Sequence, residues 1–510
     1  MQHEIMKKLS ILLVSALMLT SVCSCTSFDE LNTDPDATTK VSPEMIATNL
    51  ILSIATPSTA KGFFNSSFMM KYMAWGEGPA TYQYNKFGRS GFGAYYKLIS
   101  AQKMVELAKD YNQEAYIGLA KFVEAYKMYY LTMEVGDIPY SDALKGEEGG
   151  IKPIYDTQKD VMLRILQALE ESYTNFSIAK DFDGDPMMGG SIERWKKAVT
   201  ALQLKVLLNL SLKVSDPDLN VKGRFANIVA NSTLMESNAD NFQVVFSAKK
   251  GQRYPTYKDD FNYNAYPMLS ITLVDVLKKF KDYRLFYYAE PAASKTEAGI
   301  AADSWDAYIG VDPSKSNSDI MEIFGKKEFC NINQRYKEKP EGEPFITLGY
   351  AEQNFILAEA ALRGWISGPA DTYYKKGIEA SMRFIADNTA DEYCHNHKIT
   401  DAYITEYLNS PEIQLTEGRD NGLEMLLTQR YLAAFLHFPW DAYYDHRRTG
   451  YPEMPMNVET NQNEVSTQFP KRWMYPQSEL DYNSENVKEA IERQYGGEDN
   501  HNSLMWILQE

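Results

Sequence analysis

The sequence predicts an all-α fold, a scaffold of paired helices of tetratricopeptide-like kind that carries long irregular loops. Three observations predict it. Apolar residues recur at helical spacing through many long segments, while strand-like runs are few, "FQVVF" at 242–246 being the best. One segment pair fits a degenerate tetratricopeptide register. Leu357, Ala358, Ala370, Tyr374 and Gly377 fall on its small- and aromatic-residue offsets, where small side chains allow close helix approach and the ring fills the next groove. Stretches 233–268 and 285–345 are rich in Asn, Asp, Ser, Tyr and Gly and read as long loops, which in a compact protein are usually functional.

The elements follow in chain order. Lys7 and Lys8 precede the apolar run "LSILLVSALML" at 9–19, the layout of a secretory signal. The run is too short to span a membrane, which takes roughly 20 residues. "VCSC" at 22–25 resembles a bacterial lipobox, with cleavage before Cys25 and acylation of its thiol. Two or more acyl chains make membrane residence stable. Residues 1–24 are then a signal peptide and 25–41 the lipidated cysteine with a polar tether. Residues 42–510 form one helical domain. Ser42-Pro43-Glu44 opens its first helix, with Pro at the first position and an acid in the first turn. Helices are expected over roughly 62–75, 93–110, 113–134, 157–175, 191–213, 221–232, 269–281, 350–364, 370–388, 401–408, 420–437 and 486–495.

Composition excludes some functions. The net charge of −17 leaves no basic footprint for nucleic acid. Of four cysteines, only Cys330 and Cys394 lie within the domain, and a chain this long does not need them as a disulfide. No H-E-x-x-H, G-x-S-x-G or P-loop occurs; "GRSGFG" at 88–93 has the wrong spacing. Paired carboxylates for glycoside hydrolysis need no local motif, so that chemistry stays open. "CHNH" at 394–397 offers a thiolate and two imidazoles but reads more simply as an exposed loop. "DFDGDP" at 181–186 suggests calcium. Counted from Asp181 it lacks the glycine and glutamate an EF-hand loop requires, so structural calcium is possible without motif support and no cofactor is expected. The simpler reading is a solvated acidic turn.

Several stretches together go beyond helix patterning: "FVEAYKMYYLTMEVGDIPYSDAL" (122–144), "ERWKKAVTALQLKVLLNLS" (193–211), "YAEQNFILAEAALRGW" (350–365), "RRTGYP" (447–452) and "RWMYPQSELDYN" (472–483). With the lipobox, this chain resembles the SusD/RagB family of outer-membrane nutrient-binding lipoproteins across nearly its whole length. The resemblance implies a helical fold with four tetratricopeptide-like helix pairs. It also implies a non-catalytic role on the outer face of the outer membrane. There the protein would capture oligosaccharide and hand it to a partner TonB-dependent (SusC-like) transporter; peptide cargo is the alternative within the family. A lipid-anchored glycoside hydrolase is the alternative outside it. Asp29 and Glu30, close behind Cys25, resemble surface-export signals. The motifs themselves read as structural: Gly136 and Pro139 end a helix and fix a turn, Gly450 and Pro452 make a tight exit, and Arg447 or Arg448 bonds nearby carboxylates.

Ligand contacts are expected from loop aromatics beside amides and acids, because sugars offer apolar C–H faces and paired hydroxyls. "WGEGPATYQYN" (75–85) supplies Trp75, Tyr82, Gln83 and Tyr84. "YKDDFNYNAY" (257–266) supplies Tyr263 with Asn262 and Asn264. "DSWDAYIG" (303–310) supplies Trp305 between Asp303 and Asp306, then Tyr308. Trp75 has a simpler alternative, since Phe68, Tyr72 and Trp75 form an i, i+4, i+7 core stripe.

Overall fold

The computed structural model describes residues 41–262, 264–415 and 419–510, with backbone alone at 419–421 and 439. The signal peptide, Cys25, Asp29, Glu30 and Tyr263 lie outside the described residues. Pro43–Glu510 is a single compact unit by its contacts. Helices of nine or more residues are α1 (Pro43–Ala55), α2 (Ala94–Leu107), α3 (Gln113–Val135), α4 (Gln158–Ile178), α5 (Ile192–Asn209), α6 (Val221–Asn231), α7 (Ile271–Lys279), α8 (Asn317–Lys326), α9 (Tyr350–Leu362), α10 (Ala370–Asp387), α11 (Asp401–Asn409), α12 (Arg419–Ala433), α13 (Pro439–Thr449) and α14 (Ser484–Tyr495).

Successive helices pack as α2/α3, α3/α4, α4/α5 and α9/α10, and less extensively as α12/α13. The apolar stripes explain the pairing. Gly118 of α3 lies so close to Phe176 of α4 that a Cβ there would sit 2.9 Å from its ring. Trp195 of α5 is fully buried, stacked on Phe176 at 5.6 Å and edge-on to Phe122 at 5.2 Å. In α9/α10 the register residues do what their sizes suggest. Ala358 and Tyr374 are buried, and a Cβ on Gly377 would meet the Phe355 ring at 3.0 Å. Gly136 ends α3 at φ +89°, where any Cβ would strike the Gln494 side chain at 2.0 Å. Gly450 caps α13 in the left-handed region and donates to His446 O.

Two short antiparallel ladders bind the loops: β1 (Met73–Trp75) with β3 (Pro267–Leu269), and β2 (Phe242–Val244) with β4 (Phe345–Leu348). Three expectations need correction. The helix expected over 62–75 is a 3-10 turn (60–64) and a short helix (65–69). The chain then reverses through Lys71 at φ +58° into β1. The stretch 285–345 is not a continuous loop, since it holds α8, capped by Ser316 Oγ accepting from Asp319 N. Residues 439–449, beyond the expected end at 437, form α13.

Buried charges join the helix pairs. Lys205 of α5 meets Asp441 of α13 at 2.8 Å and Glu352 of α9 at 3.0 Å. Arg430 of α12 reaches Glu352 and Asp445. Arg448 makes a bidentate bond to Glu359 of α9 at 2.5 and 2.9 Å and also bonds Asp445. Burial alone would raise the Glu359 carboxyl, but Arg448 and Arg363 override it and hold it at about 2. Arg447, the other arginine of the motif, donates instead to the carbonyls of Met133 and Lys471.

Candidate functional site

The three aromatic stretches leave one small backbone platform. Residues 76–85 continue from β1, 257–266 lead into β3, and 303–310 arrive through a parallel bridge between Ser270 and Val311. The fold nevertheless sends their side chains into different neighbourhoods.

Three expected contact residues are core. Trp75 is 1% exposed, packed against Phe64, Phe68 and Tyr266, with Lys61 Nζ 4.7 Å from its ring centre. Tyr84 is 4% exposed and donates to Lys315 O. Tyr308 is 1% exposed and donates to Ala302 O. Their ring faces are not offered to a ligand, because each fills space under the loop it was expected to decorate. Gln83 is also buried, accepting from Trp75 N and donating to Pro313 O.

Tyr82 and Trp305 are half-buried but lie in separate clusters. Tyr82 packs edge-on to Phe87 and Trp440, and its hydroxyl accepts from Trp473 Nε1 at 3.4 Å. Trp305 packs against Phe286 at 4.7 Å, with Tyr283 and His397 beside it and Lys281 Nζ 5.1 Å from its centre. His397 is held by its stacking on Phe286 at 3.6 Å and its bond to Asp303 O at 2.7 Å. Of the "CHNH" imidazoles His397 is therefore committed, whereas His395 Nε2 is buried without a hydrogen-bond partner, 3.5 Å from Glu290; Cys394 donates to Asp391 O.

The acidic turn at 181–186 is likewise occupied by protein donors. Asp185 Oδ1 accepts from Met187 N and Met188 N, and its Oδ2 from Gly190 N and the Trp195 indole. Asp181 accepts from Ile192 N. The turn is not solvated throughout, because Asp185 is buried. Among the described residues, no group of three or more His, Cys, Asp or Glu is placed to hold a metal.

What the β1–β3 platform presents is a ring stack absent from the sequence expectations. Tyr266 stacks on Phe324 of α8 at 5.5 Å, and Phe324 on Phe329 at 5.5 Å; all three are half-buried. Gly76 permits this, because a Cβ there would lie 2.4 Å from the Phe324 ring. The bond from Gly76 N to Tyr266 O places exposed Glu77 next to the stack. Asn262 is exposed nearby, and Asn264 Oδ1 is buried without a hydrogen-bond partner. Ring faces flanked by a carboxylate and amides can stack on apolar C–H surface and exchange hydrogen bonds with hydroxyls. The signal for Phe324 was the Ser316–Asp319 cap, which marks a helix inside the supposed loop.

Fold and platform define a class: a helical-repeat scaffold that presents aromatic loops on one small ladder. Residues 35–476 match the SusD-like family model, described as starch-binding and associating with outer membrane, and the chain belongs to that family. Over 92% of its length it is 54% identical to a SusD homologue from Bacteroides fragilis, matched over 100% of that chain with TM-score 0.90. A second Bacteroides fragilis homologue is 35% identical over the same shares, with TM-score 0.83. A Bacteroides vulgatus structure, described as a candidate outer-membrane protein of nutrient binding, is 32% identical over the same shares, with TM-score 0.83. No curated protein sequence matches the chain. Among the described residues, no helix is long and apolar enough to cross a membrane.

Proposed function

We propose that this protein is a lipid-anchored, non-catalytic binder on the outer face of the outer membrane. It captures oligosaccharides and passes them to a partner TonB-dependent transporter. The observation that carries the reading is the family match over residues 35–476, whose description joins starch binding to outer-membrane association. The Tyr266–Phe324–Phe329 stack beside Glu77 supplies a matching surface. Trp305 and Tyr82, each in its own cluster, remain candidate contacts, as does Tyr263, which lies outside the described residues. A non-catalytic role is supported by the buried acids. Asp282, Glu343, Glu352, Glu359, Asp441 and Asp445 are each ion-paired with an arginine or lysine, which commits these six to the scaffold. The anchor is assigned to Cys25.

Calorimetric titration with oligosaccharides, on the parent and on Phe324→Ala and Trp305→Ala, tests the site. The reading expects binding by the parent and weaker binding by Phe324→Ala. Unchanged binding by both variants would remove the loop face from the account. Mass spectrometry of the native N-terminus tests the anchor: an unmodified Cys25, or a mature chain starting elsewhere, contradicts it.

A further inference from the structure

A cleft of about 410 Å³ opens on another part of the molecule, between α3, α13 and β4. Its walls belong to rigid elements. Tyr126, Tyr130 and Glu134 line it from one face of α3 at i, i+4 and i+8, Trp440 from α13 and Thr347 from β4. The rings are fixed from behind. Tyr126 packs on Tyr130 at 4.8 Å, and Trp440 is wedged edge-on between Tyr82 at 5.5 Å and Trp473 at 5.2 Å.

The polar groups in this cleft are only partly used. Thr347 is 7% exposed, and its hydroxyl has no hydrogen-bond partner. A buried hydroxyl without a partner carries a desolvation cost, which a ligand group would remove. Glu134 Oε2 accepts from Ser90 Oγ at 2.5 Å. Lys127 Nζ donates to the Ser53 carbonyl at 2.7 Å. The other lining acid, Asp441, is already satisfied by Lys205 and the Tyr130 hydroxyl.

We propose that this cleft is a second carbohydrate site, taking an uncharged saccharide of mono- or disaccharide size. Aromatic faces receive the C–H surface of the ring, and the hydroxyls bond Thr347, Glu134 and Lys127. A purely aromatic or aliphatic ligand would leave the Thr347 hydroxyl buried and unpaired. An anionic ligand is disfavoured. The Glu134 carboxyl in the lining opposes it, and the lining lysine, Lys127, is taken by the Ser53 carbonyl. The volume lies within the ordinary range for small-ligand pockets, roughly 300–1,000 Å³. The site stands on the cleft alone.

The test is saturation-transfer NMR and calorimetric titration of the full chain with glucose, galactose, mannose, N-acetylglucosamine, maltose, cellobiose and lactose. Parent protein is compared with Thr347→Val, Glu134→Gln and the loop-face variant Phe324→Ala. Thr347→Val keeps the side-chain shape and removes only the hydroxyl. The cleft predicts that at least one of these sugars binds. Thr347→Val should weaken it about tenfold, the value of one good hydrogen bond, with Phe324→Ala unchanged. Three outcomes overturn the assignment: no sugar of the panel binds, binding is indifferent to Thr347→Val, or Phe324→Ala weakens it as much. Loss of the cleft site would leave the loop-face reading standing, because that reading is tested with longer oligosaccharides on its own variants.

Discussion

Asp185 accepts from three backbone amides and the Trp195 indole, so its carboxylate organises the turn that leads into α5. Asp185→Ala strands those buried donors, and we expect a loss of about 2–4 kcal/mol, read as a lower Tm in calorimetry. Adding a chelator to the parent protein should leave its Tm unmoved; a drop would restore a calcium role. Trp75 makes the parallel case in the core. Trp75→Ala should cost about 3–5 kcal/mol by opening a cavity, far more than Phe324→Ala on the half-buried platform. Burial of Trp75 was legible from the Phe68–Tyr72–Trp75 stripe. The conformation was not, because a core-facing strand and a helix can bury the same residues, and nothing marks Lys71 as left-handed. Tyr84 and Tyr308 misled for a related reason. Their rings are under their loops, and sequence position does not say on which side of the backbone a loop tyrosine falls.

At the scale of elements, the buried ion pairs between α5, α9, α12 and α13 fix how the helix pairs meet. Glu359→Gln should destabilise by about 3–5 kcal/mol, since it leaves Arg448 and Arg363 short of a buried partner. Glu359 and Glu343 lie at about 2 in the folded protein, against an ordinary 4.5. Their contribution is therefore present above 4.5 and lost as pH falls through 2. Glu352 and Asp445 are raised by burial and act in the opposite sense. His446 is lowered by burial to about 4, so the unfolded chain takes its proton first and stability drops as pH falls from 6.5 toward 4. Thermal unfolding followed from pH 7 to 2 should show this decline, with a shallower lower limb in Glu359→Gln; an unchanged limb would mean that Glu359 is not held ionised. The long helices were legible because their apolar faces repeat over three or more turns. The short ones were not: α8 hides among Asn, Ser and Asp, and α13, "PWDAYYDHRRT", buries tyrosines and charges that periodicity counts as polar.

For the whole molecule, fold and family were legible because the motifs that mark them are structural: helix ends, close-packed alanines and the arginine that pins two helix pairs. The proposed ligand face was far less legible, since it lies where β1, β3 and α8 converge from distant parts of the chain. The central claim is that this chain holds oligosaccharides without changing them. Equilibrium dialysis of the purified protein against an oligosaccharide mixture, with both compartments followed over time by mass spectrometry, tests it most directly. The account predicts intact oligosaccharides enriched on the protein side and a constant size distribution. Equal concentrations in the two compartments, or shorter products that accumulate with time, would contradict it.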